Sequence, residues 1–300
     1  MLLSVIIPVY HGAVTIHKLV QSVQEQLSAY SFEIILVNDG SKDDSEKIGL
    51  ILAEKFNNIS FLSLRKNFGE FNAVMCGLNY AKGDYSVIID DDFQNPPSEI
   101  IRLLETAQKS DFDIVYGQYD EKKHHQFRNV GSWFENQITT LLFKKPQDLY
   151  LSSFKLIKKE VVEEICLYKG PYPYIDGLIF NVTDNIGKVT VQHNDRHHGE
   201  SNYTFKKLAS LFLNILFGYS LLPVRIALFL GLLSTFVALI LSSFQFLNIV
   251  DYPIGLVILF FGGVQLISIG IVGEYIRKIF LTQSNTPQYI LKTKKINNAQ

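Results

Sequence analysis

Ile226–Leu247 and Ile254–Gly273 limit the fold of this 300-residue chain more than any other feature, because neither stretch holds a charged side chain. At about 22 and about 20 residues, each is long enough to cross the hydrocarbon layer of a bilayer. Soluble core helices seldom come as such a pair separated by a loop as short as Asn248–Pro253, so residues 224–281 are expected to form a transmembrane hairpin. Lys206, Lys207 and Arg225 precede the first span, and Arg277, Lys278, Lys292, Lys294 and Lys295 follow the second, while the loop has no Lys or Arg. The positive-inside rule then puts both termini in the cytoplasm and the loop outside. Residues 201–222, with Phe205, Leu208, Leu211, Phe212, Ile215 and Leu216 after two lysines, fit an amphipathic helix lying on the membrane and ended by Pro223. Residues 282–300 are expected to be a cytoplasmic tail.

Residues 1–200 have another character. The N-terminus lacks a basic region and a cleavage pattern, so it is expected to be a strand and not a signal peptide. Ser4–Val9, Glu33–Val37, Ile59–Leu64, Ser86–Ile89 and Asp113–Tyr116 are the strand candidates. Ile16, Leu19, Val20, Val23 and Leu27, and then Ile48, Ile51, Leu52 and Phe56, recur at helical spacing between them. That alternation predicts an α/β domain, Rossmann-like, with a mostly parallel sheet covered on both faces. The 47% apolar content excludes a disordered chain, and two cysteines exclude a disulfide-stapled module. Both cysteines, Cys76 and Cys166, fit small core residues of a reducing compartment. A net charge of −1 offers no field for nucleic acid, which is not expected as a partner.

Chemistry concentrates where strands end. Asp90, Asp91 and Asp92 follow an apolar strand, at the edge where open α/β sheets bind ligands. Three adjacent carboxylates repel one another unless a cation or hydrogen-bond donors compensate. Alternation puts Asp90 and Asp92 on one side, an oxygen-rich pair suited to Mg²⁺ or Mn²⁺. The second strand ends in Asn38-Asp39-Gly40-Ser41, whose Asp39 suits a base or ribose hydroxyl and whose Asp43 or Asp44 suits a helix cap. No G-x-G-x-x-G follows the first strand and no P-loop occurs, which leaves a metal-bridged diphosphate as the way to hold a nucleotide. His193, His197 and His198 lie close together, but without the cysteines or H-E-x-x-H pattern of a zinc site. Trp133 and Phe134 fit packing positions.

Val5–Tyr10, Val37–Ser41, Leu64–Gly69, Ala81–Asp84 and Asp90–Pro97 together resemble the GT-A glycosyltransferases of family 2, and more narrowly those that use polyprenyl phosphates. Arg196–Tyr203, Gly263–Leu266 and Gly273–Tyr275 are similar to later motifs of the bacterial two-span members, so the resemblance covers nearly the whole chain. It implies that Pro8, Tyr10, Asp39 and Arg65, with Asp90 and Asp91, line the nucleotide site. Asp90, Asp92 and Gln94 would hold the metal. Arg128, Ser153, Arg196 and Ser201 would meet the acceptor phosphate, Arg128 and Arg196 acting with Asp90 and Asp92 in catalysis. Pro96 and Pro97 would open the next helix. The chain departs from the pattern in Tyr10-His11-Gly12, in Asn202 where a Lys is usual, and in Gln118-Tyr119 where a second arginine is frequent.

The implied reaction moves a sugar from a nucleotide-diphosphate sugar, by resemblance a UDP-sugar, to undecaprenyl phosphate at the inner face of the bacterial cytoplasmic membrane. The anomeric carbon inverts, and the product serves cell-surface glycan modification. A phosphate monoester is largely a dianion at neutral pH, its second pKa being about 6, so no general base is assigned. Relatives often self-associate, so a homo-oligomer and a monomer are both open. Two other readings are a glycosyltransferase with a growing polysaccharide as acceptor, whose Gln-x-x-Arg-Trp motif is missing, and a non-catalytic membrane scaffold.

Overall fold

Apolar runs with no polar face have to lie between two layers, and the five Val- and Ile-rich runs do so as neighbouring or near-neighbouring strands. They are β1 (Leu2–Val9), β2 (Ser31–Asn38), β3 (Ile59–Leu64), β4 (Tyr85–Ile88) and β5 (Ile114–Tyr119). The computed structural model describes residues 1–119, 146, 148–192, 194, 216–217, 220–246, 254–284 and 286–297. β1 runs parallel to β2 on one side, with Val5 opposite Ile34, and to β4 on the other, with Val5 opposite Val87. Pro8 sits in this central strand beyond the last β4 pair, so its missing N–H forfeits no ladder bond.

Three further strands were not expected. β6 (Lys155–Lys158) is antiparallel between β4 and β5, β7 (Ile186–Val191) is parallel to β5, and β8 (Leu291–Lys295) is antiparallel to β3. The eight-stranded order is β7-β5-β6-β4-β1-β2-β3-β8, so the sheet is mostly parallel as predicted. β8 corrects the expectation of a tail at 282–300. The chain divides into two compact units, and Thr286–Gln300 belongs with Met1–Asn202. β8 carries three lysines, which an edge strand tolerates because charge there blocks pairing with another chain.

Helices α1 (Ile16–Gln26), α2 (Ser45–Lys55) and α4 (Glu99–Ser110) cover one face, where Ile16, Leu19, Val20, Val23 and Leu103 join Leu3, Val5, Ile7 and Leu36 in one core. α2 turns Gly49, Leu52 and Ala53 inward, so Ile51 is exposed, contrary to its expected place on the apolar stripe. α3 (Glu70–Leu78) is buried along almost its whole length. Two short helices, α5 (Lys159–Ile165) and α6 (Ile175–Val182), follow β6.

Two buried polar clusters hold the sheet. Glu33 accepts from Ser4 Oγ at 2.7 Å and from the Lys82 amide at 2.7 Å, while Gly83 N–H donates to Ser4 Oγ at 2.8 Å. The Ala81–Asp84 motif thus pins the start of β4 to the starts of β1 and β2, at the edge away from the acidic cluster. On β6, the Lys155 ammonium pairs with Asp176, which also accepts from the Tyr116 hydroxyl at 2.7 Å. All three are buried, and burial holds the Tyr116 hydroxyl well above its ordinary pKa.

In the second unit, Tyr203–Asn285, lie α7 (Leu222–Phe246) and α8 (Ile254–Gln283). Pro223 stands in the first turn of α7, where an absent N–H is no loss. Ser220 Oγ accepts from the Leu222 amide at 2.9 Å just before that turn. α7 is long and apolar enough over Leu222–Ile240 to cross a membrane, and its Leu228, Phe229, Leu232 and Phe236 are exposed. α8 exposes Ile258, Phe260, Leu266 and Ile267, and continues past Gly273 through Glu274 and Arg277, an ion pair at 3.0 Å. The amphipathic helix expected at 201–222 lies outside the described residues except for 216–217 and 220–222.

Asp176→Leu strands the Lys155 ammonium, and a loss of about 3–5 kcal/mol in stability is expected. Lys155→Met added to it should restore part of that loss. Thermal melts of the detergent-solubilised protein check both; equal stability of the single variant and the parent would refute the structural role of the pair.

Candidate active site

The chain goes from β1 to β2 on one side and returns to β4 on the other, so β1 and β4 flank a topological switch point. Crevices outside the carboxyl ends of strands at such a point are the usual ligand sites of open α/β sheets. The segments that meet there are Tyr10–Gly12 after β1, Asp39–Ser41 after β2 and Asp90–Gln94 after β4.

The three aspartates part ways after Ile88. Asp90 Oδ2 accepts from Ser153 Oγ at 2.5 Å, which joins the acidic cluster to the loop before β6. Asp91 points at the β1 turn: a Cβ on Gly12 would come within 2.2 Å of Asp91 Oδ2, so the carboxylate occupies space beside Gly12 and would have to shift for a larger residue there. Asp92, 7% exposed, accepts from the Gln94 amide at 3.1 Å and closes a turn in which Phe93 has φ 63°. Side-chain capping of this kind stabilises a left-handed residue. The Gln94 carbonyl accepts from Asn194 N–H at 2.9 Å. Pro96 and Pro97 supply the carbonyls for Glu99 and Ile100 and so precede α4.

Tyr119, at the end of β5, completes this side. Its hydroxyl donates to Asn95 Oδ1 at 2.9 Å, its ring meets Tyr150 edge-on at 6.0 Å, and burial together with Asp90 pushes its pKa up. The sequence marked Tyr119 only as standing where an arginine is frequent. The predicted strand stops at Tyr116, and only its continuation to Tyr119 brings that ring to the edge.

On the β2 side, the Asp39 carboxylate is buried and accepts from the amides of Phe68 at 2.7 Å and Gly69 at 2.9 Å, directly before α3. Burial raises its pKa, and the two amides oppose that rise without cancelling it. Gly40, with φ 63°, lets the Arg65–Gly69 loop close on this turn, since a Cβ there would lie 2.3 Å from the Lys66 carbonyl carbon. Arg65 itself is exposed, and its amide donates to Ile290. Tyr10 is exposed and stacks on His11 with ring centroids 4.3 Å apart, and His11 adopts φ 58° with its amide on Ser41 Oγ at 3.0 Å. Asp44 is the N-cap residue of α2 but makes no side-chain capping bond; the preceding Asp43 does so, its Oδ1 taking the Ser45 amide and hydroxyl and its Oδ2 the Ala13 amide. These bonds outweigh burial and hold its pKa below the ordinary range.

Pro8, Tyr10, Asp39, Arg65, Asp90, Asp91, Asp92, Gln94 and Ser153 therefore all lie at or next to the carboxyl edge. Arg128, Arg196, Ser201, Asn202, Trp133 and the three clustered histidines lie outside the described residues. Among the described residues no group of three or more His, Cys, Asp and Glu side chains converges as a metal cage. Asp90, Asp92 and Gln94 offer only hard oxygen donors, the set for an ion that keeps water and phosphate in its shell, so these residues fit Mg²⁺ or Mn²⁺ better than zinc.

A model of the family described as "Glycosyl transferase family 2" matches residues 4–166. The bactoprenol glucosyl transferase of Shigella phage SfX is 31% identical over 98% of this chain and 100% of its own length. The undecaprenyl-phosphate 4-deoxy-4-formamido-L-arabinose transferase of Photorhabdus laumondii is 27% identical over 96% and 93%. Glucosyl-3-phosphoglycerate synthase of Mycobacterium tuberculosis, solved with Mn²⁺, UDP and glucosyl-3-phosphoglycerate, shares the fold: TM-score 0.54, 18% identity, 72% of this chain and 77% of that one. With strand order, acidic edge and family match in agreement, the chain is a glycosyltransferase and belongs to glycosyl transferase family 2.

Proposed function

We propose that this enzyme transfers a sugar, with inversion, from a UDP-sugar to a polyprenyl phosphate at the cytoplasmic face of the membrane. The observation that carries the reading is the Asp90–Asp92 cluster at the switch point, with Ser153 on Asp90, in a chain similar over its full length to a bactoprenol glucosyl transferase.

Tyr10 offers the nucleoside an exposed aromatic face, and Asp39 offers it an acceptor at the end of β2. Asp92 and Gln94, with Asp90, would hold Mg²⁺ or Mn²⁺, which supplies positive charge to the diphosphate when bound. Ser153 keeps Asp90 oriented, and Tyr119 with Tyr150 walls the cluster on its β5 side. Arg128, Arg196 and Ser201 are assigned to the acceptor phosphate, for which guanidinium groups provide paired donors. Being already a dianion, that phosphate requires positioning and no deprotonation, which agrees with the absence of an assigned base.

The exposed apolar faces of α7 and α8 support two membrane spans, 226–247 and 254–273, joined by an outside loop. α8 is about 45 Å long at about 1.5 Å per residue, more than the roughly 30 Å of hydrocarbon, which leaves its charged last turns for the cytoplasmic side. Both termini and residues 1–200 then face the cytoplasm, and 201–222 lies on the surface.

The direct test measures nucleotide diphosphate release by the detergent-purified protein from UDP- and GDP-sugars, with Mg²⁺ or Mn²⁺, with and without undecaprenyl phosphate. Release from one UDP-sugar only when the lipid is present is expected. Release that ignores the lipid would favour a different acceptor, and no release from any donor would favour a scaffold. Asp92→Asn is expected to lower kcat/KM by about 100-fold or more while the melting temperature stays close to that of the parent. A protease applied outside intact cells should leave residues 1–200 uncut, and cleavage within them would overturn the topology.

A further inference from the structure

The loop Arg65–Gly69 is held from two sides. Toward the sheet, Asp39 takes the amides of Phe68 and Gly69, at 2.7 and 2.9 Å. On the other side, the Ile290 carbonyl takes the Arg65 amide at 2.9 Å. Ile290 belongs to the segment that follows α8 in the chain and forms β8, so the residues leaving the second apolar helix end on the loop that fixes Asp39.

The segment is tied far more firmly than ladder pairing requires. At its start the Gln288 amide donates to the Tyr168 carbonyl at 2.7 Å, and Gln288 is buried. Tyr289 lies beside the buried thiol of Cys76 on α3, the helix that begins where the loop ends. Burial pushes that thiol up to about 12, so Cys76 stays protonated and serves as a partner, not as a nucleophile. Lys294 lies 4.5 Å over the ring of Tyr80, just past α3. At the far end Asn297 donates to the carbonyls of Ala53 and Phe56 at 2.6 and 3.0 Å. The segment therefore grips β3 before the loop and α3 after it. A register shift between Ser63 and Leu64 marks where β3 leaves the regular ladder and turns toward the loop.

We infer that Gln288–Ile290, the stretch that leads into β8, is a strap that positions the Arg65–Gly69 loop, and through it Asp39, for the nucleotide of the donor; Tyr289 and Gln288 are positioning residues. This rests on the donor-site reading given above. A strap acting through the loop alters donor affinity and leaves the acceptor phosphate untouched, whereas a strap that only adds stability affects both or neither.

The test uses the full-length detergent-solubilised protein and three variants: Tyr289→Phe, Gln288→Ala with Tyr289→Phe, and Lys295→Ala. The last removes an ion pair to Glu54 at 3.4 Å at the far end of β8. The probe is UDP with Mn²⁺, titrated calorimetrically, alongside donor KM, undecaprenyl phosphate KM, kcat and the melting temperature. Tyr289→Phe should raise the UDP Kd and the donor KM by about 3–10-fold, the effect of one lost polar contact, with a larger rise in the double variant. Kcat and acceptor KM should stay within about twofold, and Lys295→Ala should match the parent. Unchanged UDP affinity in the double variant, a parallel rise in both KM values, or an equal effect of Lys295→Ala would overturn the strap while leaving the donor site intact. Failure of the parent itself to bind UDP would overturn both.

Discussion

A carboxylate bound by two backbone amides, Asp39 on Phe68 and Gly69, joins the end of β2 to the start of α3. Much of the catalytic edge depends on it. Burial works against the charge, and what compensates is the pair of amides at a helix start, where the helix dipole also favours an anion. The loop reaches Asp39 only because Gly40 has no Cβ, and the strap after α8 fastens the loop's other end. A fold of this kind places a costly buried acid at a ligand edge by arranging several backbone groups around it, not by one strong partner.

The acidic cluster solves the opposite problem. Three consecutive aspartates cannot share one environment, so the chain sends them apart: Asp90 to Ser153, Asp91 into the room left by Gly12, and Asp92 onto its own turn. Divergence lowers mutual repulsion and gathers hard oxygens of Asp90, Asp92 and Gln94 at one edge. Ser153 and Tyr119 come from a loop and a strand far along the chain, and they join the loop before β6 and the end of β5 to this edge.

Of the motifs that carried the family resemblance, not all belong to the site. Asp90–Gln94, Asp39–Ser41 and Tyr10 meet at the carboxyl edge, whereas Lys82 and Gly83 serve Glu33 and Ser4 at the other edge and hold strands together. The buried Lys155–Asp176–Tyr116 cluster left no motif in the sequence at all, because its members are separated by tens of residues and meet only through the pairing of β5 and β6.

What the sequence by itself determined is what depends on neighbours along the chain. β1 to β4 and α1 were legible because burial of a strand or a helix face leaves a period in the residues, and the apolar helices because the length of a span is counted directly. The acidic edge was legible because Asp90–Asp92 follow a strand with nothing between. Only the tertiary structure decided what depends on distant partners: β6, β7 and β8, short and lysine-bearing, become strands because a neighbouring edge needs its hydrogen bonds met. The same holds for Ser153 on Asp90, for Tyr119 beside the cluster, and for the segment after α8, read as a tail and found in the sheet. A side chain's partner across space is set by packing, and packing has no period in the sequence.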